Sequence, residues 1–149
     1  RRSSDLVALD GEQGLPFARR FDRVLVDAPC TGLGILHRNP EAKWRRKPED
    51  IARLSRLQGA ILENVSAWLK AGGTLVYSTC TMTPEENDRV IGTFLEKHPD
   101  FRLEDLRELV PAAARPLVDP KGFFRTYPEA VVAGENRMDG FFAARLSRK

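Results

Sequence analysis

At 149 residues the chain is the size of one ordinary domain and can bury a core, and its 42% hydrophobic and 30% charged residues describe a soluble globular protein. No apolar run approaches the roughly 20 residues of a membrane span, and the Arg1-Arg2-Ser3-Ser4 start leads into no signal-peptide hydrophobic region. A net charge of +3 permits a nucleic-acid partner without demanding one, and two cysteines fifty positions apart are no disulfide framework, so a reducing cytoplasm is expected.

In chain order, Asp5 to Leu9 reads as a short strand closed by the turn dipeptide Asp10-Gly11. Phe21 to Asp27 is a second strand whose Val24-Leu25-Val26 centre is apolar on both faces, as in a buried parallel strand. It runs into Asp27-Ala28-Pro29-Cys30-Thr31-Gly32-Leu33-Gly34, where proline and two glycines forbid regular structure. A basic segment follows, with His37, Arg38, Lys43, Arg45, Arg46 and Lys47 around Trp44. Pro48-Glu49-Asp50 opens a helix, and Ile51, Leu54, Leu57, Ile61, Leu62, Val65, Trp68 and Leu69 recur at helical spacing until Gly72-Gly73 stops it. Thr74 to Thr79 is a β-branched and aromatic run, hence a buried strand. Thr83 and Glu86, with Pro84 at the first helical position, match a capping box for a helix over 84–97. Phe101 to Leu106 fits a strand or a helical turn. Residues 107 to 122, with three prolines, read as a surface loop, Phe123 to Tyr127 as extended chain, and Phe141 to Leu146 as a final strand.

Alternating strands and helices with no internal repeat predict a single α/β domain with a parallel or mixed sheet. Right-handed crossovers would place strand 22–27 beside strand 74–79 and bring Asp27, Cys30 and Cys80 to one edge. Ligands bind at such carboxyl ends, and a helix beginning near Cys80 would favour its thiolate. The plain alternative is a buried, inert cysteine. A zinc site is disfavoured, since the chain has no Cys-x-x-Cys motif and no paired histidines. His98, before a proline at a helix end, reads as a solvated or capping residue.

Four stretches in order, Asp27 to Gly34, Arg38 to Trp44, Tyr77 to Thr81 with Pro84-Glu85-Glu86-Asn87, and Asp139 to Ala143, closely resemble the Nop/Sun family of RNA cytosine-5 methyltransferases, above all its bacterial 16S ribosomal RNA members. The resemblance implies the Rossmann-like sheet of S-adenosylmethionine-dependent methyltransferases, present as its C-terminal portion, residues 1–149 forming one partial catalytic domain. It also implies that Cys80 attacks carbon 6 of cytosine and activates carbon 5 for the methyl group. Asp27 would contact ring nitrogen 3, and Cys30 would help remove the carbon-5 proton. Asp10 would contact the cofactor adenine, with Asp27 and Pro29 also at the cofactor. Arg38, Lys43, Trp44, Arg45 and Arg46 would meet RNA through phosphate contact and stacking, although the same segment can be read as a solvated face. Thr31 and Thr81 stand where serine is common in the family.

No glycine-rich strand-to-helix turn occurs in the chain, so the cofactor-loop half is expected upstream of Arg1 and the chain alone is expected to be inactive. Two competing readings follow: a cytosine-5 methyltransferase using Cys30 of Pro29-Cys30 as nucleophile, and a non-catalytic RNA-binding fragment. In the strand order that the family resemblance implies, two missing strands lie between strand 5–9 and strand 22–27, so strand 5–9 is expected to be displaced or the chain to self-associate through an exposed edge.

Overall fold

A computed structural model describes residues 7–128 and 138–149. Its centre is β2 (Leu69–Thr79), flanked on one side by the parallel β1 (Phe21–Asp27) and on the other by the antiparallel β5 (Phe142–Arg148). Two shorter strands pair antiparallel with β5: β3 (Phe101–Glu104), which completes the order β1-β2-β5-β3, and β4 (Phe124–Arg125). Three helices, α1 (Ala42–Arg45), α2 (Pro48–Ser66) and α3 (Asp88–Lys97), join them. The parallel β1 and β2 require a crossover, and α2 supplies it. The antiparallel β5 makes the sheet mixed.

Register explains the core. Val24 and Val26 lie opposite Leu75 and Tyr77, which lie opposite Leu146 and Ala144, so these side chains share one face. That face is covered by α2 and α3 through Leu62, Val90, Ile91 and Phe94, and Leu62, Leu75, Tyr77, Ile91, Ala144 and Leu146 are fully buried. The next residues along each strand, Leu25, Val76 and Arg145, point to the opposite face, and Leu25 remains 69% exposed. The expectation of burial on both faces of the second strand is therefore met on one face only.

Other expectations are corrected in detail. Val7 to Asp10 form no strand, and residues 1–6 lie outside the described residues. The chain after Asp10 instead lies along α2, where Asn64 Nδ2 donates to Gly11 O at 2.9 Å, because no neighbouring strand is there to pair with it. The helix over 48–71 stops at Ser66, and Leu69 already belongs to β2. The glycines do not end the helix. They absorb an irregularity between the β1 pairings Phe21↔Leu69 and Arg23↔Thr74, where Gly72 takes φ 74°, a conformation that suits glycine. Asp50 accepts from Lys47 N at 3.0 Å and Pro48 takes the first position, so the helix start is as the sequence predicts. His98 joins the helices, bonding Glu63 Oε2 at 2.5 Å while stacking on Phe94. Among the described residues no helix is long and apolar enough to cross a membrane.

Candidate active site

At the carboxyl ends of β1 and β2 the chain leaves the sheet twice, through Ala28 to Gly34 and through Cys80 to Asn87. The parallel register that pairs Asp27 with Ser78 carries these two exits side by side. Cys30 Sγ and Cys80 Sγ are 3.3 Å apart, and Ser78 Oγ donates to Asp27 Oδ1 at 3.3 Å. The two thiols and the carboxylate expected at one edge are thus brought together. Asp27 shares the open face with Leu25 and Ser78 and is exposed.

The fourth motif seals this edge. Gly140 N donates to Gly34 O at 2.8 Å and Gly34 N to Cys80 O at 3.0 Å. A Cβ on Gly34 would sit 2.0 Å from the Gly140 oxygen, so only glycine allows the backbones to approach this closely. Beside it Asp139 Oδ1 takes Arg38 Nε at 2.9 Å and His37 Nε2 at 3.0 Å.

Thiol chemistry follows from the pairing. The hydrogen bond from Cys30 is the largest influence on Cys80 and holds its pKa down to about 7. It outweighs burial and the repulsion of Asp27 and Glu86. The same bond to Cys80, then burial, pushes Cys30 far above the ordinary thiol range. The close contact of the two thiols lets one stabilise the charge of the other, and the shift favours Cys80 as the charged member. The helix after Cys80 begins only at Asp88, so the capped helix start expected directly beside the thiol is not formed.

The capping box is also replaced. Glu86 is fully buried, and its carboxylate turns inward to accept from Thr31 N (2.8 Å), Thr31 Oγ1 (2.6 Å), Thr83 Oγ1 (2.7 Å) and Gln58 Nε2 (3.0 Å). Asn87 accepts from Thr79 Oγ1 at 2.6 Å and donates to Thr81 O at 3.0 Å, gripping both neighbours of Cys80. Tyr77 OH donates to Glu86 O at 2.7 Å, and burial drives its pKa well above the usual phenol value. Sequence reasoning missed these supports. One signal was present: Gln58 sits four residues from both Leu54 and Leu62, so a polar side chain interrupts the buried stripe of α2.

The basic segment divides. Trp44 is 83% exposed, with Lys43 Nζ 5.6 Å from its ring centre, and Arg45 is exposed beside it. Arg46 instead turns to the loop, donating from Nε to Thr31 O at 2.9 Å. A hollow of about 310 Å³ lies between them, lined by Gly32, Ile35, Asn39, Arg45 and Arg46 among others. A larger hollow of about 440 Å³, between α2 and α3, contains neither thiol. Among the described residues no group of three or more His, Cys, Asp or Glu side chains could hold a metal ion.

The residues expected at the cofactor do not make a site by themselves. Asp10 spends both carboxylate oxygens in its own turn, on Glu12 N at 3.0 Å and Gln13 Nε2 at 2.9 Å. This turn is held at Asn64, six residues and about 9 Å along α2 from Gln58, whose Nε2 holds Pro29 O at 2.9 Å. Pro29 and Asp27 are exposed at the sheet's edge strand.

A mixed α/β sheet with two thiols in contact at its strand ends is the class of structure that the fold and site define. Comparison with known proteins specifies which: residues 2–147 match the family model described as 16S rRNA methyltransferase RsmB/F, and the chain belongs to that family. It is 44% identical over 131 residues to the "Probable ribosomal RNA small subunit methyltransferase B" of Bacillus subtilis, covering 87% of this chain and 28% of the relative. It is 41% identical over 136 residues to "Ribosomal RNA small subunit methyltransferase B" of Thermus thermophilus, covering 89% and 31%. Among solved structures, NSun6 from Pyrococcus horikoshii with SFG superposes with a TM-score of 0.74 at 29% identity, over 97% of this chain and 34% of that one. The chain thus spans about a third or less of the length of these relatives.

Proposed function

We propose that this chain carries the catalytic edge of an S-adenosylmethionine-dependent methyltransferase that methylates carbon 5 of a cytosine in ribosomal RNA. The carrying observation is the Cys30–Cys80 contact at 3.3 Å at the strand ends, where the bond to Cys30 lowers the Cys80 pKa. Cytosine carbon 5 is a poor nucleophile. Addition of Cys80 Sγ to carbon 6 moves the electron pair of the carbon 5–carbon 6 bond onto carbon 5, splitting one hard step into two easier ones. Asp27, at the open end of β1, contacts ring nitrogen 3 and offsets the density pushed into the ring. S-adenosylmethionine supplies the methyl group in this family reading, and the part of its site not formed by Asp10, Asp27 and Pro29 belongs to the rest of a complete domain.

The thiol pair also suggests how the second half of the reaction is timed. Cys30 is a weak acid while Cys80 beside it is charged. Once Cys80 is bonded to carbon, that charge disappears and Cys30 can ionise, ready to take the carbon-5 proton and release the product. The Thr79-Cys80 motif of the family favours this assignment over Cys30 as nucleophile. Exposed Trp44, Lys43 and Arg45, with Arg38 at Asp139, offer stacking and phosphate contacts for a base that must leave its stack, at a cost of a few kcal/mol.

In a protein carrying the whole methyltransferase domain, Cys80→Ala is expected to abolish methyl transfer. Cys30→Ala is expected to accumulate a protein–RNA adduct that survives denaturing electrophoresis. An adduct formed by Cys80→Ala instead would reverse the roles. The 149-residue chain alone is expected to be inactive and to bind S-adenosylmethionine weakly or not at all by isothermal titration, and micromolar binding would contradict that. Because β1 pairs only with β2 among the described residues, we also expect the isolated chain to self-associate.

A further inference from the structure

The fold lays two like dipeptides side by side: Cys30-Thr31 against Cys80-Thr81, sulfur to sulfur at 3.3 Å and hydroxyl to hydroxyl at 2.9 Å. Behind them lies Glu86. We propose that Glu86 is the positioning residue that sets the contact between the two thiols, by clamping Thr31 and, through it, Thr81. This rests on the reading of Cys80 and Cys30 as the working pair.

A fully buried carboxylate is costly unless its oxygens are satisfied, and a side chain serving only to fill space would be apolar. Glu86 spends two of its four accepted bonds on Thr31 alone, through N–H and Oγ1, and a third on Gln58, whose Nε2 also holds Pro29 O. Cys30 is therefore fastened on both sides to one carboxylate–amide pair. A carboxylate only accepts, so Thr31 Oγ1 gives its proton to Glu86 and accepts in turn from Thr81 Oγ1. The chain Thr81 to Thr31 to Glu86 thus has a single direction, and it pulls the residue after Cys80 toward the residue after Cys30. From the other side, Asn87 fixes Thr79 Oγ1 and Thr81 O. Residues 28–32 belong to no strand or helix, so these bonds hold the Cys30 loop in place together with those of Arg46 to Thr31 O and of Ala28 N to Ser78 O.

The ionisable groups bearing on Cys80 are Cys30, Asp27 and Glu86, with the Arg46 guanidinium at the Cys30 carbonyl. Glu86 acts on Cys80 in two opposed ways. Its charge disfavours the thiolate, while its clamp holds in place the Cys30 S–H that favours it. The sign of the response to removing the charge tells the two apart.

The test is residue-resolved alkylation by iodoacetamide, followed by mass spectrometry across pH, on the chain without RNA or cofactor. Glu86→Gln is expected to raise the Cys80 midpoint from about 7 toward the free-thiol value of about 8.5, slowing Cys80 alkylation at pH 7 roughly three- to fivefold. Thr31→Val, which keeps the Glu86 charge, is expected to do the same, and Thr31→Ser to behave as the parent. A lowered midpoint in Glu86→Gln, as loss of a nearby negative charge alone would give, overturns the proposal, and so does no change. Should Glu86→Gln fail to fold, the Thr31 pair decides: an unshifted Thr31→Val overturns the clamp. Alkylation does not depend on methyl transfer, so the two readings fail separately. An unshifted Glu86→Gln alongside an inactive Cys80→Ala sinks the clamp alone. A shifted one alongside an active Cys80→Ala sinks the nucleophile assignment alone.

Discussion

The carboxyl end of the β1–β2 pair and the outer face of the same two strands are a few residues apart, yet they are finished to different degrees. At the strand ends Thr31, Thr79, Thr81, Glu86 and Asn87 are all buried and mutually bonded, so this region carries its own partners within the chain. On the outer face Leu25 is 69% exposed, with Val76 only part covered. The polar site is closed within this chain, by short-range bonds from Asn87 and by bonds from Glu86 to residues 28 and 55 positions away. The apolar face presents surface that a doubly wound sheet would cover from its other half. One end of the strand pair is thus closed by polar bonds while one of its faces stays open.

That contrast can be broken at its closed end with the largest effect. Asn87→Ala leaves Thr79 Oγ1 and the Thr81 carbonyl buried without partners. It is expected to destabilise the chain by about 2–4 kcal/mol in urea unfolding, since each orphaned group costs about 1–3. A loss below about 0.5 kcal/mol would mean that water reaches this network and that the end is not closed. Tyr77→Phe removes one bond to Glu86 O under the same network and is expected to cost about 1 kcal/mol. Thermal unfolding would show whether the loss is smaller. The open face should respond least. Leu25→Lys adds a charge to surface already in water, so stability is expected to change by less than about 0.5 kcal/mol. The same substitution is expected to reduce self-association in sedimentation velocity, because a charge beside an exposed edge opposes pairing. A large loss of stability from Leu25→Lys would show that this face is already covered.

Much of this was legible in the residues themselves. The strands at 21–27 and 142–148, the helix beginning at Pro48 and the meeting of Asp27, Cys30 and Cys80 follow from local composition and the handedness of crossovers. Of the strand read over 5–9, residues 7–9 form none, the displaced outcome expected for an apolar pentapeptide that finds no neighbouring strand among the described residues. Thr83-Pro84-Glu85-Glu86 reads equally well as a capping box or as a turn that sends its glutamate inward. The choice is made by Thr31, more than fifty residues away, and by Gln58 on a different helix. Arg46 is indistinguishable from Arg45 along the sequence, and only the passage of the Cys30 loop beneath α1 gives it a carbonyl to hold.

The sequence by itself therefore determined that Asp27, Cys30 and Cys80 share one end of the sheet, because strand polarity and motif order need no long-range detail. What only the tertiary structure decided is that the two thiols touch, fifty residues apart in sequence and 3.3 Å apart in space. A hydrogen bond that short depends on the packing of two loops around a buried carboxylate, which no local pattern encodes.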